Sequence, residues 1–234
     1  MLPTPLLRSN NTRLASTRLW RGRIGLGLVA SLSVLAGMTD AIGFMATGDF
    51  VSFMSGNTTR LAVAIGDGNM SLTGRLFALV AAFVVGNALG VVVSHFSRRR
   101  ALPLLLSLAA LLCLSAYLPD TWQVLALLLA ILAMGMLNAV VEQVNGLPIG
   151  LTYVTGALSR FGRGLGRWML GEQRSGWRVQ LVPWTGMFVG AILGALLEQR
   201  LGLSALYVSA ALACATGIVT LKIPRRWQLG YMPR

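Results

Sequence analysis

Six apolar runs, each 18 to 25 residues long, decide what this chain of 234 residues can become. They occupy 24–46, 72–96, 101–118, 122–144, 179–197 and 203–221. A helix of that length matches the ~30 Å hydrocarbon core of a bilayer, where every backbone N–H and C=O must find its partner inside the protein. Leu, Val, Ala and Gly fill the runs without the two-residue alternation of a membrane barrel. With 55% hydrophobic residues, 12% charged residues and a mean hydropathy of +0.70, the chain reads as all-α: a polytopic transmembrane helical bundle.

A net charge of +13 and a pI near 11.6 would suggest nucleic acid in a soluble domain. Here the positions of the basic residues give another meaning. Arg8, Arg13, Arg18, Arg21 and Arg23 precede the first run, and Arg98, Arg99 and Arg100 follow the second. Arg160, Arg163, Arg167, Arg174 and Arg178 lie between the fourth and fifth, and Lys222, Arg225, Arg226 and Arg234 end the chain. With six spans, 17 of the 20 basic residues fall on one side, leaving Arg60, Arg75 and Arg200 on the other. The positive-inside rule then puts both termini in the cytoplasm, with anionic lipid as the partner of the basic face and no role for nucleic acid. The organisation expected is a flexible Arg-rich tail over 1–23 with a short interfacial helix near Trp20, a membrane domain over 24–222, and a second tail over 223–234. Cys113 and Cys214 sit in apolar runs with no ligand spacing, so neither metal nor cofactor is expected.

Two polar features interrupt this apolar background. Asp40 lies inside the first run, and Ser55-Gly56-Asn57-Thr58-Thr59-Arg60 divides the apolar stretch 50–65. A seventh crossing there would carry the Arg98-Arg99-Arg100 triplet outside, against the charge bias. The segment is therefore expected to dip in and return, or to pack as a half-helix. Residues 147–161 form the corresponding piece between the fourth and fifth runs, and 162–178 a basic interfacial segment.

Three motifs recur in order. Gly37-Met38-Thr39-Asp40-Ala41 returns as Gly135-Met136-Leu137-Asn138-Ala139, and Ser55-Gly56 with Arg60 returns as Thr155-Gly156 with Arg160. Val85-Gly86-Asn87-Ala88-Leu89-Gly90 returns as Val189-Gly190-Ala191-Ile192-Leu193-Gly194, and the three offsets are 98, 100 and 104 residues. Three matches in register imply a duplication. Each copy, 24–118 and 122–221, holds three spans, so the second is expected to insert upside down relative to the first. Inverted repeats with interrupted helices near their axis are the architecture of many transporters.

The run Ala36-Gly37-Met38-Thr39-Asp40-Ala41-Ile42-Gly43-Phe44, followed by Phe53-Met54-Ser55-Gly56-Asn57-Thr58, resembles the signature of the YoaK-like family of bacterial inner-membrane proteins. The family commonly has Thr where this chain has Ser55, a change that keeps the hydroxyl. The resemblance covers residues 24 to about 222 and implies a multi-pass, six-helix protein of the bacterial inner membrane. It supplies neither a substrate nor a catalytic residue.

The candidate solute or ion pathway is therefore Asp40, Ser55, Gly56, Asn57, Thr58, Arg60, Asn138, Thr155 and Gly156. A carboxylate inside a span costs ~2.5–3.5 kcal/mol on insertion scales, so Asp40 is expected to face a cavity or a partner. It would serve either to handle a proton or cation or to brace the structure by hydrogen bonds. Asp40, Asp49 and Asp67 are the possible counter-ions of Arg60. Gly86 and Gly90, with Gly186, Gly190 and Gly194, have the spacing that lets helices approach closely, within one chain or between copies in a homo-oligomer. One His and no nucleophile beside an evident base argue against an enzyme. The expected function is a secondary transporter or channel-like permease for a small polar or charged solute. The alternatives are a non-catalytic membrane partner or scaffold and, behind it, an intramembrane enzyme.

Overall fold

The computed structural model describes residues 8–141, 143–144, 147–148, 154–172 and 176–232, with side chains described from Trp20 onward. In chain order its helices are α1 (Arg8–Thr47), α2 (Met54–Gly66), α3 (Met70–Phe96), α4 (Ala101–Tyr117), α5 (Gln123–Leu137), α6 (Val154–Met169), α7 (Leu181–Leu201), α8 (Leu206–Thr220) and α9 (Arg225–Gln228). Short 3-10 turns precede α5, α7 and α8. The one extended pairing among the described residues is a two-residue antiparallel bridge, Gln143–Val144 against Leu147–Pro148.

Three helical stretches are long and apolar enough to cross a membrane: Trp20–Thr47 with 28 residues, Met70–Phe96 with 27, and Arg178–Thr220 with 43. The last is not one rod. Gly202, at φ +56° and ψ −144°, closes α7, and a 3-10 turn leads into α8. Apolar helices α4 and α5 have 17 and 15 residues. The sequence reading carried the fourth run to residue 144, but α5 stops at Leu137 and the chain turns through Asn138, Ala139 and Val140. Hydropathy continued past the point where the backbone turned.

The core is built from α1, α4, α5 and α8, with Leu32, Leu35, Leu104, Leu108, Leu112, Leu127 and Ile131 fully enclosed. α3 and α7 lie outside it and turn corresponding apolar residues outward: Val84, Val85, Leu89 and Val92 on α3, and Phe188, Val189, Leu193 and Leu196 on α7. In water such faces would be a liability. Against lipid tails they are the expected exterior.

Glycines set the helix contacts. On α7, a Cβ at Gly190 would overlap the carbonyl of Val34, and one at Gly194 the carbonyl of Met38, while Gly186 faces Ser33 and Ala30. A Cβ at Gly37 of α1 would meet the Met187 carbonyl. On the other side, Gly86 and Gly90 of α3 press on Leu132 and Met136 of α5, and Gly135 on Phe83. Numbers rise together across both interfaces, so α1 runs parallel to α7 and α3 parallel to α5. The two sets correspond residue by residue: Val34, Gly37 and Met38 stand 98 before Leu132, Gly135 and Met136, and Phe83, Gly86 and Gly90 stand 104 before Met187, Gly190 and Gly194.

The segments expected to be tails are more ordered than charge and proline content suggested. α1 is already helical at Arg8, and the chain before it lies outside the described residues. At the other end α9 folds back. Gln228 donates to the Thr220 and Ile223 carbonyls at 2.9 and 3.0 Å and accepts from the Ala101 N–H at 3.2 Å. Tyr231 donates its hydroxyl to the Arg21 carbonyl at 2.6 Å. Buried Ile223, Tyr231 and Met232 supply the apolar contact that holds this segment down.

Candidate functional site

Past Asp40, α1 continues to Thr47, whose hydroxyl donates to the Gly43 carbonyl at 2.7 Å. Gly48, at φ +76°, then reverses the chain, a conformation that suits glycine. The returning loop runs back along α1 until the Asp40 carboxylate accepts the backbone N–H groups of Val51 and Ser52, at 2.8 and 2.6 Å. Asp40 lies seven residues before the end of α1, so the chain has returned by ~10 Å.

Helix α2 starts at that depth and heads outward again. Asn57 clamps the descending loop at Phe50: its amide donates to the Phe50 carbonyl at 2.7 Å and its carbonyl accepts from the Phe50 N–H at 3.2 Å. Phe44 stacks on Phe50 with centroids 4.7 Å apart, and Phe53 meets Phe50 edge to face at 5.2 Å. Gly56 leaves the room they need, since a Cβ there would strike the Phe53 ring. Thr58 and Thr59 donate back to the Met54 and Ser55 carbonyls of their own helix, at 2.8 and 3.1 Å. The segment 48–66 is thus a loop-and-helix hairpin that dips beside α1 and returns.

Its outer end is held by charge. Asp49, 1% exposed, pairs with both Arg60 of α2 and Arg75 of α3. Arg60 also donates to the Gly48 carbonyl at 2.7 Å, and Arg75 to the Thr47 carbonyl at 3.2 Å. Of the three possible counter-ions for Arg60, the fold selects Asp49. Arg75 completes the cluster, and its pairing was not legible in sequence, because an arginine in the first turn of an apolar run has no local signature that names its partner.

In the second copy, α6 carries Arg160, whose Nε donates to the Gln180 side chain at 2.9 Å, and Phe161, which packs on Trp177 at 5.1 Å. Asn138 holds the position in the second copy that Asp40 holds in the first. Its amide donates to Asn87 at 3.4 Å, and Asn87 in turn donates to the Phe83 carbonyl at 2.8 Å. Two polar side chains therefore meet between α3 and α5 beside the glycine contact.

The N-termini of α2 and α6 open onto one cavity of about 510 Å³. Its lining is Ser52, Phe53, Met54, Ser55, Phe83, Val154, Thr155 and Met187. Three pairs of repeat mates face it: Met54 with Val154, Ser55 with Thr155, and Phe83 with Met187. None of the described lining side chains is charged. The positive end of each half-helix points there, with the Ser55 and Thr155 hydroxyls beside it. Asp40 and Asn57 stand behind the wall and fix the loop that forms it. Arg60 and Thr58 lie elsewhere on α2, and Gly156 and Asn138 are outside the lining. Phe83 and Met187 escaped the sequence reading because they differ in chemistry. Their signal was position, each three residues before the first glycine of the α3 and α7 motifs.

A family model described as "Protein of unknown function (DUF1275)" matches residues 28–219. A UPF0700 transmembrane protein of Rhizobium meliloti (strain 1021) is 52% identical over 208 residues, which cover 89% of this chain and 91% of that protein. No solved structure matches.

Proposed function

The chain belongs to the DUF1275 family of proteins of unknown function, and from that premise we propose that it is a permease of the bacterial inner membrane for a small polar or charged solute. The observation that carries this reading is the cavity shared by the two half-helix N-termini and lined by mates from the two sequence repeats. A substrate site at the meeting of two related halves is where interrupted-helix transporters place theirs.

Six crossings and an inverted arrangement belong to the same proposal. Parallel packing of α1 with α7, and of α3 with α5, is what alternating crossings require. The glycine contacts that recur at offsets of 98 and 104 support two halves related by a pseudo-two-fold axis. Because α1 and its mate α5 start from opposite faces, the halves are inverted, with both termini on the arginine-rich, cytoplasmic side. Helices α4 and α5 are shorter than a full ~20-residue span, and local thinning of the bilayer accommodates them.

At the cavity, two partial positive charges and two hydroxyls favour an anionic or strongly dipolar group over a cation. Asp40 is the brace of this site: its carboxylate satisfies two N–H groups that would otherwise be buried without partners. The test is flux. Purified full-length chain in liposomes is assayed for release of chloride, formate, glycerol and potassium, with and without a pH gradient. Ser55→Trp and Thr155→Trp, which fill the cavity, are expected to stop the flux. Release that ignores both plugs, or no release of any probe, sinks the proposal.

A further inference from the structure

At the opposite end of the bundle from the Asp49 cluster lies a second cavity, of about 380 Å³, between the start of α4 and the end of α8. Arg100, Lys222 and Arg225 line it, with Thr220 and Gln228, and no carboxylate is among its lining residues. This is not a loose run of solvated arginines. Gln228 fixes the floor through its bonds to Thr220, Ile223 and Ala101, which tie α8, α9 and α4 together. Arg100 also immediately precedes α4, so the positive end of that helix adds to the field.

Lys222 and Ile223 are shared with an adjoining groove of about 530 Å³ on the seam of α1 and α8. Ile24, Leu28, Leu212, Ala215 and Val219 give it apolar walls. Gly27 opens it further, for a Cβ there would meet nothing within 4 Å. The Ser31 hydroxyl is turned onto the Gly27 carbonyl at 3.1 Å, which removes a donor from the groove surface. Leu212 on α8 lies ten residues before Lys222, which stands two residues past that helix, so the groove extends ~15 Å into the apolar layer.

We propose that these two spaces hold one anionic phospholipid, its phosphate among Arg100, Lys222 and Arg225 and an acyl chain along α1 and α8. Charge chooses the headgroup: three cations with no acid repel a choline or ethanolamine ammonium and attract a net negative phosphate ester. The apolar groove chooses a lipid over a free phosphate. This inference rests on membrane placement and not on solute passage, so it stands or falls separately from the permease reading.

The experiment uses the full chain in neutral detergent, offered equal amounts of phosphatidylglycerol and phosphatidylcholine with identical acyl chains. Retained lipid is counted by native mass spectrometry. Basic groups near a membrane each contribute about fivefold, so a preference on the order of 100-fold for phosphatidylglycerol is expected. It is expected to fall to near unity in the triple variant R100Q/K222Q/R225Q, whose side chains are all solvent-exposed. Gly27→Leu is expected to lower retention of phosphatidylglycerol by filling the groove. Arg163→Gln with Arg167→Gln, on the exposed surface of α6, is expected to leave the preference intact. Equal retention of both lipids by the unaltered chain overturns the proposal, as does a preference that survives the triple variant or disappears in the α6 control. Displacement of the lipid by glycerol 3-phosphate at matching concentration would assign the pocket to a free phosphate ester and also overturn it.

Discussion

Oδ1 of Asp40 lies 2.6 Å from the backbone nitrogen of Ser52, so a carboxylate seven residues before the end of α1 holds the chain at the point where α2 begins. The same oxygen accepts from Val51 at 2.8 Å. Asp40→Ala would leave both donors buried without a partner, at ~1–3 kcal/mol each, and a loss of ~3 kcal/mol in thermal unfolding of the detergent-solubilised protein is expected. Asp40→Asn keeps an acceptor oxygen and gives up only the charge assistance, for a loss of ~1 kcal/mol. Equal melting temperatures for the wild type and Asp40→Ala would remove the brace.

Repeat-related contacts make a paired prediction. Gly190→Ala and Gly86→Ala each drive a methyl into a backbone carbonyl, of Val34 and Leu132 respectively, and neither carbonyl can rotate away. Both variants are expected to lose ~1–3 kcal/mol, and by similar amounts. Gly74→Ala, where the added carbon meets nothing within 4 Å, is expected to be neutral or to gain up to ~1 kcal/mol from helix propensity. Melting curves of the three variants side by side check the pattern, and a destabilised Gly74→Ala would show that these contacts are wrongly placed.

What could be read from sequence follows from what each signal measures. Hydropathy located the apolar helices, since burial in lipid or core selects the same residues, but it overran α5 because Ala139, Val140 and Val141 stay buried after the helix has ended. Small residues at repeat spacing identified Gly86 and Gly190 as contact points, since backbone approach leaves no alternative to glycine. The cavity was only half legible. Ser55 and Thr155 were visible as hydroxyls in apolar surroundings, whereas Phe83 and Met187 look like any other lipid-facing residue until α3 and α7 are placed. The C-terminal segment looked like a tail because the bonds of Gln228 and Tyr231 reach residues more than 100 positions away.

The charge cluster is predicted to be asymmetric in its energetics. Asp49 is 1% exposed, whereas the side chains of Arg60 and Arg75 are 38% and 33% exposed. Removing one arginine leaves Asp49 paired and the other arginine in place, so Arg60→Gln or Arg75→Gln is expected to lose ~1 kcal/mol or less. Asp49→Asn leaves two guanidinium groups facing each other across a buried amide, and a loss of ~3 kcal/mol is expected. The order of the melting temperatures decides it. Either arginine variant falling below Asp49→Asn would contradict this account.

Burial pushes the Tyr231 phenol above its ordinary pKa, and the nearby Arg21 guanidinium only partly opposes the shift. A group with a raised folded pKa contributes stability that is present below its unfolded value, ~10, and lost as pH climbs through the folded one. Residues 223–232 are therefore expected to stay docked at neutral pH and to loosen above pH ~10. Hydrogen exchange across this segment as a function of pH reads the step. Tyr231→Phe forfeits the 2.6 Å bond to Arg21, at ~1 kcal/mol, but is expected to abolish the alkaline step. A step that persists in the phenylalanine variant would belong to another group.

The inverted arrangement proposed above has a direct consequence for accessibility. Asp67, just past α2, and Leu170, just past α6, are both exposed and end corresponding half-helices. If the halves are inverted, these positions lie in opposite compartments even though their surroundings in sequence are alike. Single cysteines made by Asp67→Cys and Leu170→Cys, in a background with Cys113→Ala and Cys214→Ala, are expected to react with an impermeant maleimide from opposite faces of the membrane. Position 170 is expected to share its face with Arg100 and the C-terminal segment, position 67 with Arg200. Reaction of both from one side would require parallel halves.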